Sequence, residues 1–398
     1  MSLNTGTAQQ AGLKAAAVAT FVVFGINGLV FASWAARIPA VTETLQITSG
    51  QMGTLLLCTA IGSLLALPTA GWVVGRIGTA NTVRFGGLVA SLAGAAIALS
   101  LSMASIPGTA VALFFFGIAI GLWDVSQNLE GADVEHKLRR TIMPQFHAAF
   151  SGGAFVGALI GAGLSNLGVG LPLHLLVIVG IVLLVTMIAP RYFLPHVTAP
   201  TPADGEAKPD KGPSAWRDSR TLLIGVVILG ATLTEGAGND WIAKASVDGL
   251  GTSESTGALM FALFVLAMTA MRFLGGHVID KYGRVAVLRA SMAAAAAGLC
   301  LFVLAGNVWL AAVGAALWGV GAALAFPMGM SAAADDPQHA AARVSVVSTL
   351  GYTSFLAGPP LLGYLGDLTG IHFALLAILA PIILALLLAG AAKPLKVK

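Results

Sequence analysis

The sequence predicts an all-α membrane protein with twelve transmembrane helices in two pseudo-symmetric six-helix bundles. Three observations lead to this prediction: an apolar composition, about twelve apolar segments of bilayer length, and a loop motif that occurs once in each half. Of the 398 residues, 57% are hydrophobic and 10% are charged, whereas a soluble domain has about 25% charged residues. Such a chain cannot cover its surface with polar groups, so we expect it to lie in a lipid bilayer.

The predicted helices follow from the length that a bilayer requires, about 20 apolar residues per span. In the first half such segments occur at residues 16–37, 51–74, 81–103, 107–130, 142–167 and 170–190. In the second half they occur at 221–243, 255–279, 285–305, 308–331, 343–366 and 371–391. The polar, proline-rich stretch 191–220 between them is predicted to be a cytoplasmic linker. The expected domains are therefore an N-terminal bundle over 1–190 and a C-terminal bundle over 221–398.

A glycine-containing loop motif is found after the second predicted helix of each half. The first copy is residues 71–78 (GWVVGRIG) and the second is residues 276–284 (GHVIDKYGR). Glycine permits tight turns and close helix contacts, and duplicated membrane bundles are typical of transporters in which one half moves against the other. The copies differ most in charge at one position, where Gly75 stands in place of Asp280 of the second copy.

Lysine and arginine predict the orientation, because cytoplasmic loops carry an excess of these residues. With both termini in the cytoplasm, only Arg37 and Lys244 lie outside and Arg272 lies within a span. The other eighteen of the 21 basic residues then lie on the cytoplasmic side. We therefore expect a multi-pass membrane protein with both termini in the cytoplasm.

The twelve spans, the long central loop and the G-x-x-x-D-K-x-G-R motif at residues 276–284 together resemble the major facilitator superfamily. Residues 33–39 (SWAARIP), 123–131 (WDVSQNLEG) and 327–336 (PMGMSAAADD) are similar to bacterial inner-membrane proteins of the YbjJ type, which are distantly similar to fucose/proton symporters. The resemblance implies a secondary transporter whose loop aspartate latches a neighbouring helix. Asp280, Lys281 and Arg284 are the expected latch residues, and the first-half loop with Arg76 is expected to form a weaker latch.

Polar and ionisable side chains inside spans are the candidate binding and coupling residues, because each costs a few kcal/mol or more in a bilayer. Together with three aromatic residues, the candidates are Asn27, Trp34, Asp124, Gln127, Asn128, Glu235, Asn239, Asp240, Trp241, Arg272 and Tyr352. Asp124 and Asn128 are four residues apart and share a helix face, with Gln127 beside them. Asn27 and Trp34 are seven apart, and an amide with an aromatic ring suits a sugar-like or other polar ring-shaped solute.

Glu235 and Asp124 are the expected proton-coupling carboxylates, because an apolar site allows a carboxyl group to hold a proton and release it when water reaches it. The alternative is that these carboxylates are permanently paired in a structural role, as Glu235 would be with Arg272. Arg272 itself could instead bind an anionic solute. His147 is a candidate proton relay or a structural histidine.

Two similar pairs, Trp34 with Arg37 and Trp241 with Lys244, lie near the predicted outer ends of helices 1 and 7. They are expected to be either membrane-surface anchors or gating residues. Glu130 is expected to belong to a solvated or interdomain charge network at the cytoplasmic face. Asp335 and Asp336 are expected to belong to the corresponding network of the second half, with inter-helix latching as their role.

The predicted function is alternating-access transport of a small polar solute, driven by a proton gradient. One alternative is a proton-driven exporter of a drug or metabolite. However, two sequence features of drug/proton antiporters are missing: an arginine before Gly117 or Gly121, and the proline of the antiporter motif. Another is a membrane receptor or enzyme without transport. The sequence has no phosphate-binding loop, metal-ligand cluster or catalytic triad, so we expect no enzyme activity and no cofactor or metal.

The expected partners are a small-molecule solute, protons and the lipid bilayer. Basic residues follow the loops rather than a single stripe, so no nucleic acid is expected. Cys58 and Cys300 lie in apolar segments of different halves and are expected to be core residues rather than a disulfide or metal site. The chain is expected to be a monomer.

Overall fold

The computed structural model describes residues 3–140, 142–195, 215–336 and 339–395. Within these ranges the chain forms fourteen α-helices and short 3-10 turns, with no β-strand. The helices of the first half are α1 Leu3–Ala35, α2 Ile38–Leu45, α3 Ser49–Ser102, α4 Ile106–Leu138, α5 Met143–Asn166 and α6 Leu171–Ile188. Those of the second half are α7 Ser219–Leu250, α8 Glu254–Tyr282, α9 Arg284–Leu304, α10 Val308–Ala322, α11 Ala325–Ala333, α12 Ala340–Thr369, α13 Ile371–Ala374 and α14 Leu379–Leu388.

Twelve membrane-crossing helices can be counted in the described part of the chain. Ten helical segments are long and apolar enough to cross a membrane. The 54-residue helix α3 contains two bilayer lengths, because its backbone is non-helical at Gly78. Helix α12, with 30 residues, is not among the ten and supplies the twelfth. The predicted all-α class with twelve membrane helices is confirmed.

The chain divides into two units. The first contains Met1–Ile47 and Leu55–Thr201, and the second contains Thr48–Thr54 and Pro202–Lys398. In the first unit α1 packs along α5, where a Cβ added at Gly28 or Gly153 would overlap the backbone of the facing helix. In the second unit α7 packs against α8 and α12. Most of the predicted linker, residues 196–214, lies outside the described residues.

The two copies of the loop motif have the same backbone conformation at their final glycines. Gly78 has φ 80° and ψ 164°, and Gly283 has φ 81° and ψ 153°. These values lie in a region that essentially only glycine adopts. The predicted tight turn is therefore present in both halves. In contrast, Gly71 and Gly276 have open space where a methyl group would be added, so neither brings two helices into contact.

The tenth span is not the single helix predicted over 308–331. Helix α10 ends at Ala322 and α11 begins at Ala325. Pro327 has no N–H to donate to the carbonyl of Ala323, four residues earlier, so the helical ladder is interrupted there. The freed carbonyl accepts a hydrogen bond from Arg272 Nε at 3.3 Å, which satisfies a backbone group that lipid could not.

Replacing Gly283 with alanine is expected to destabilise the second unit by about 1–3 kcal/mol, because a side chain strains this backbone conformation. Gly276→Ala is the matched control. It lies inside α8 with free space around it, and alanine favours a helix interior by roughly 1 kcal/mol over glycine. Unfolding of both purified variants in detergent measures the difference. Equal stability of Gly283→Ala and the parent protein would contradict this account of the turn.

Candidate functional site

An ion pair inside the membrane-spanning region of the second unit joins α7 to α8. Arg272 Nη2 donates to both carboxylate oxygens of Glu235, each at 2.9 Å. The side chains are 31% and 19% exposed, respectively. Because Arg272 Nε also bonds Ala323, the guanidinium is fixed from two sides. Structural pairing with Arg272 is the role expected for Glu235 if it does not couple protons, and this ion pair has that arrangement.

Asp240, five residues after Glu235 on α7, has a different environment. Its carboxylate accepts no hydrogen bond and has no cation within ion-pair distance among the described residues. It lines a cavity of about 10 Å³ together with Trp241 of α7 and residues of α12 that include Ser354 and Phe355. The site therefore presents a partly buried carboxyl group beside aromatic rings.

The neighbours of Asp240 in the sequence include further predicted site residues. Trp241 is fully buried and its indole Nε1 has no hydrogen-bond partner. Asn239 is partly buried. Tyr352 of α12 is 40% exposed, and its ring centroid lies 6.4 Å from that of Phe355. Within the second unit, the structure thus brings Asp240, Trp241 and α12 together around the cavity.

The polar group on α4 of the first unit forms as the sequence predicts. Gln127 Nε2 donates to Asp124 Oδ1 at 3.0 Å, and Asn128 Nδ2 donates to the Asp124 backbone carbonyl at 2.8 Å. No cation lies within ion-pair distance of Asp124 in the described part of the chain. Gln127 is fully buried and its Oε1 has no partner. Asp124 is therefore hydrogen-bonded by an amide but not neutralised by a cation.

The amide and aromatic group predicted on α1 are both buried in the first unit. Asn27 is 1% exposed and Trp34 is 6% exposed. Among the residues that the structure describes, neither Asn27 Nδ2 nor Oδ1 has a hydrogen-bond partner. An unpartnered buried amide costs about 1–3 kcal/mol, so it marks a position where polar groups of a ligand or water would be stabilising.

The pairs predicted as anchors or gating residues are all buried. Trp34, Arg37, Trp241 and Lys244 are at most 7% exposed, whereas anchors at a membrane surface contact headgroups and water. Arg37 Nη2 donates to the Val169 carbonyl at 3.2 Å. Lys244 Nζ lies 2.8 Å from Asp248 Oδ2. The anchoring interpretation therefore does not fit, and both cations instead bond to groups of their own unit.

A charge cluster of the second unit is centred on Asp335 rather than Asp280. Arg284 Nη1 lies 3.0 Å from both Asp335 oxygens, and Arg220 Nη2 lies 2.7 Å from Oδ2. Asp280 is exposed and makes no ion pair within the described residues, while Lys281 lies 5.1 Å from the Tyr282 ring centroid. Arg284, at the start of α9, and Asp335, after the end of α11, thus form an ion pair between two elements of this unit.

Asp218 positions the start of α7, the helix that carries Glu235 and Asp240. Its carboxylate accepts hydrogen bonds from the hydroxyl and the amide of Thr221 and lies 3.6 Å from Arg343 Nε. The Thr221 hydroxyl, followed by the Thr221 amide and Arg343, holds the pKa of Asp218 below its ordinary value. The cap therefore stays ionised at neutral pH, where it favours the helix N-terminus.

Of the two roles expected for Glu130, solvation does not fit, because its side chain is buried. The residue is 2% exposed and accepts hydrogen bonds from Thr79 Oγ1 at 2.6 Å and from the Leu194 amide at 2.7 Å. It therefore joins the end of the first-half loop motif to the segment after α6. Arg76 of the same loop stacks on Trp72, with 4.3 Å between the guanidinium carbon and the ring centroid.

Several buried polar residues are not among the predicted site residues. Those without hydrogen-bond partners are Ser33, Thr59, Trp123 and His174. His174 is fully buried and lies in a predicted span, so the same search for ionisable groups inside spans would have found it. His147, the histidine proposed from the sequence, packs edge-on against Phe24 with 5.4 Å between ring centroids.

The structure offers no metal site in the residues that it describes. No group of three or more histidine, cysteine, aspartate or glutamate side chains is arranged to hold a metal ion there. Cys58 and Cys300 are free thiols of intermediate burial.

Both halves of the chain match one protein family. The model of the Major Facilitator Superfamily matches residues 16–243 and again residues 224–398. The chain belongs to this superfamily. It is therefore a multi-pass membrane transporter rather than an enzyme, and the membership supports secondary transport of a solute.

Similar proteins include two from bacteria and one solved structure. An uncharacterized transporter, y4wD, of Sinorhizobium fredii is 31% identical over 374 residues, covering 90% of this chain and 96% of that protein. The membrane protein MosC of Rhizobium meliloti is 29% identical over 370 residues, covering 93% and 88%. The crystal structure of the nucleoside transporter NupG matches with a TM-score of 0.74 and 13% identity, covering 96% of this chain and 99% of that one. At that identity the structural match shows the fold alone.

The Glu235–Arg272 pair is expected to stabilise the second unit only as long as both partners are present. Glu235→Gln or Arg272→Gln alone should cost about 3 kcal/mol, because each leaves the other charge without its partner, and the double variant should recover part of that loss. The control is the exposed pair Asp133–Lys137, for which a coupling of about 0.3–0.5 kcal/mol is expected. Unfolding of the variants in detergent gives both coupling energies. Additive effects at Glu235 and Arg272 would contradict the pairing.

Proposed function

We propose that this chain is a proton-coupled secondary transporter that moves a small polar solute across the bacterial inner membrane by alternating access. The observation that carries the proposal is the environment of Asp124 and Asp240. Both carboxyl groups lie within membrane-spanning helices, and no described cation neutralises either of them. Ionisable groups retained at such cost commonly take part in proton relays.

A polar solute is supported by the buried amides of the first unit. Asn27 offers both a donor and an acceptor without intramolecular partners, and Gln127 offers an acceptor. Trp34 lies on the same helix face as Asn27, so an aromatic surface accompanies the amide. A solute with hydroxyl or amide groups on a ring, such as a sugar or a nucleoside, can use this combination.

The cytoplasmic termini are proposed from the distribution of basic residues, and the bacterial inner membrane is proposed from the similarity to bacterial membrane proteins. The two outside cations, Arg37 and Lys244, are buried and partnered within their units. They are two of the 21 basic residues, whereas eighteen lie on the predicted cytoplasmic side. We also propose that the transporter acts as a monomer.

Export of a drug or metabolite in exchange for protons is the second candidate. It uses the same carboxyl groups and differs only in the direction of solute movement relative to the proton. The missing antiporter sequence features favour uptake. Inverting the imposed pH gradient in transport assays distinguishes the two directions.

Transport by the purified protein is the direct test of the proposed function. Sugars, nucleosides, amino acids and drugs are first screened by thermal shift, because a bound solute stabilises the folded state. Stabilising solutes are then tested in radiolabelled form for counterflow into proteoliposomes and for accumulation under an imposed pH gradient. We expect accumulation several-fold above equilibrium, and its loss when a protonophore is added.

Empty liposomes and liposomes with heat-denatured protein are the controls for leakage. Counterflow without any response to the pH gradient would refute proton coupling but leave transport intact. Absence of counterflow for every solute that stabilises the folded protein would refute transport of those solutes by this chain.

A further inference from the structure

We propose that Asp240 is the residue that takes up and releases the coupled proton, and that Glu235 with Arg272 is a structural clamp. The inference rests on the proton coupling proposed above and assigns it to one side chain. It reverses the expectation from the sequence, in which Glu235 and Asp124 are the preferred carboxylates.

Glu235 and Asp240 lie on different faces of the same helix. Five residues of an α-helix correspond to a rotation of about 140° and a rise of about 7.5 Å. Accordingly, Glu235 contacts Arg272 of α8, while Asp240 lines a cavity shared with α12. The two carboxyl groups can therefore have separate roles without competing for one cation.

Glu235 is poorly suited to carry the proton in this conformation. Protonation would remove its charge while Arg272 Nη2 donates to both of its oxygens. It would also leave the guanidinium without a counter-ion inside the spans, which is unfavourable. The geometry therefore favours Glu235 as the fixed counter-ion of Arg272.

The cavity beside Asp240 favours a group that can itself donate a hydrogen bond. The Ser354 hydroxyl already donates, with bonds of 2.7 Å to Thr232 Oγ1 and to the Gly351 carbonyl. Pro359 has no N–H for the Phe355 carbonyl four residues earlier, so that acceptor lacks its helical donor. A protonated Asp240 would bring an O–H donor to the cavity that these residues line, whereas no residue that the structure describes donates a hydrogen bond to its carboxylate.

The cavity beside Asp240 has room for one water molecule. The volume of about 10 Å³ is close to the minimum needed to hold one water molecule. Proton transfer then requires only that a hydronium ion gives a proton to the carboxylate, leaving water and a neutral carboxylic acid. The reverse step regenerates the carboxylate, and no electrons or other reactants are needed.

The other charged and titratable groups near α7 have partners elsewhere. Glu235 pairs with Arg272, Lys244 with Asp248, Asp218 with Arg343 and Arg220 with Asp335. His372 of α13 lies within hydrogen-bond distance of the Ala245 and Val303 carbonyls. In α12, Asp367 accepts hydrogen bonds from Thr48 and Gly50, and Tyr364 bonds Thr54. Of the residues lining the cavity, Asp240 alone has a carboxyl group.

Infrared difference spectroscopy can observe this proton directly and needs no identified solute. The full-length protein in liposomes is titrated between mildly alkaline and mildly acidic buffer, and the C=O stretch of protonated carboxyl groups is recorded. The same titration is made for Asp240→Asn, Glu235→Gln, Asp124→Asn and the exposed control Asp133→Asn. We expect one carboxylic-acid band of the parent protein to be lost in Asp240→Asn and kept in the control and in Glu235→Gln.

Asp240→Glu is the control for misfolding. This variant keeps a carboxyl group at the same position, so it should retain the band at a shifted frequency. A band that persists in folded Asp240→Asn, that is lost instead in Glu235→Gln or Asp124→Asn, or that is absent from the parent protein would overturn the assignment. These results leave the proposed function standing if the parent still responds to a pH gradient in transport. A parent protein that transports without that response would refute the proposed function instead.

Discussion

The cost of placing a charge in a bilayer constrains every ionisable side chain within the spans. A buried charge must be paired, hydrated or neutralised by a proton. Helix α7 of the second unit carries two carboxyl groups in different environments. Glu235 is paired with Arg272, while Asp240 lies beside a small cavity and has no cation within ion-pair distance among the described residues. The same constraint explains why Arg272 also bonds the carbonyl that Pro327 leaves without a donor, since lipid cannot satisfy a free backbone group.

The two halves have the same type of helix turn but carry different buried polar groups. Gly78 and Gly283 hold equivalent turns in nearly the same backbone conformation, so the local geometry of the repeat is preserved. The polar groups differ, because the first unit offers buried amides such as Asn27 and the second offers the Glu235–Arg272 pair. We interpret the first unit as mainly recognising the solute and the second as mainly coupling and latching.

Composition and segment length were sufficient to predict the fold, because a twenty-residue apolar run has essentially one stable form in a bilayer. They were not sufficient for the partners of individual residues. Spacing along α4 correctly placed Gln127 beside Asp124, since both lie within two helical turns. Whether Glu130 is buried, and whether the anion for Arg284 is Asp280 or Asp335, depends on contacts between distant segments, which helix periodicity does not report.

The central claim is that a carboxyl group in a membrane span couples solute movement to a proton. Simultaneous measurement of solute and proton fluxes in weakly buffered proteoliposomes tests it most directly, with a pH-sensitive dye outside and a transported radiolabelled solute. For uptake, the account predicts external alkalinisation that begins with solute entry and scales with the amount imported. Solute entry with no accompanying change in external pH would contradict it.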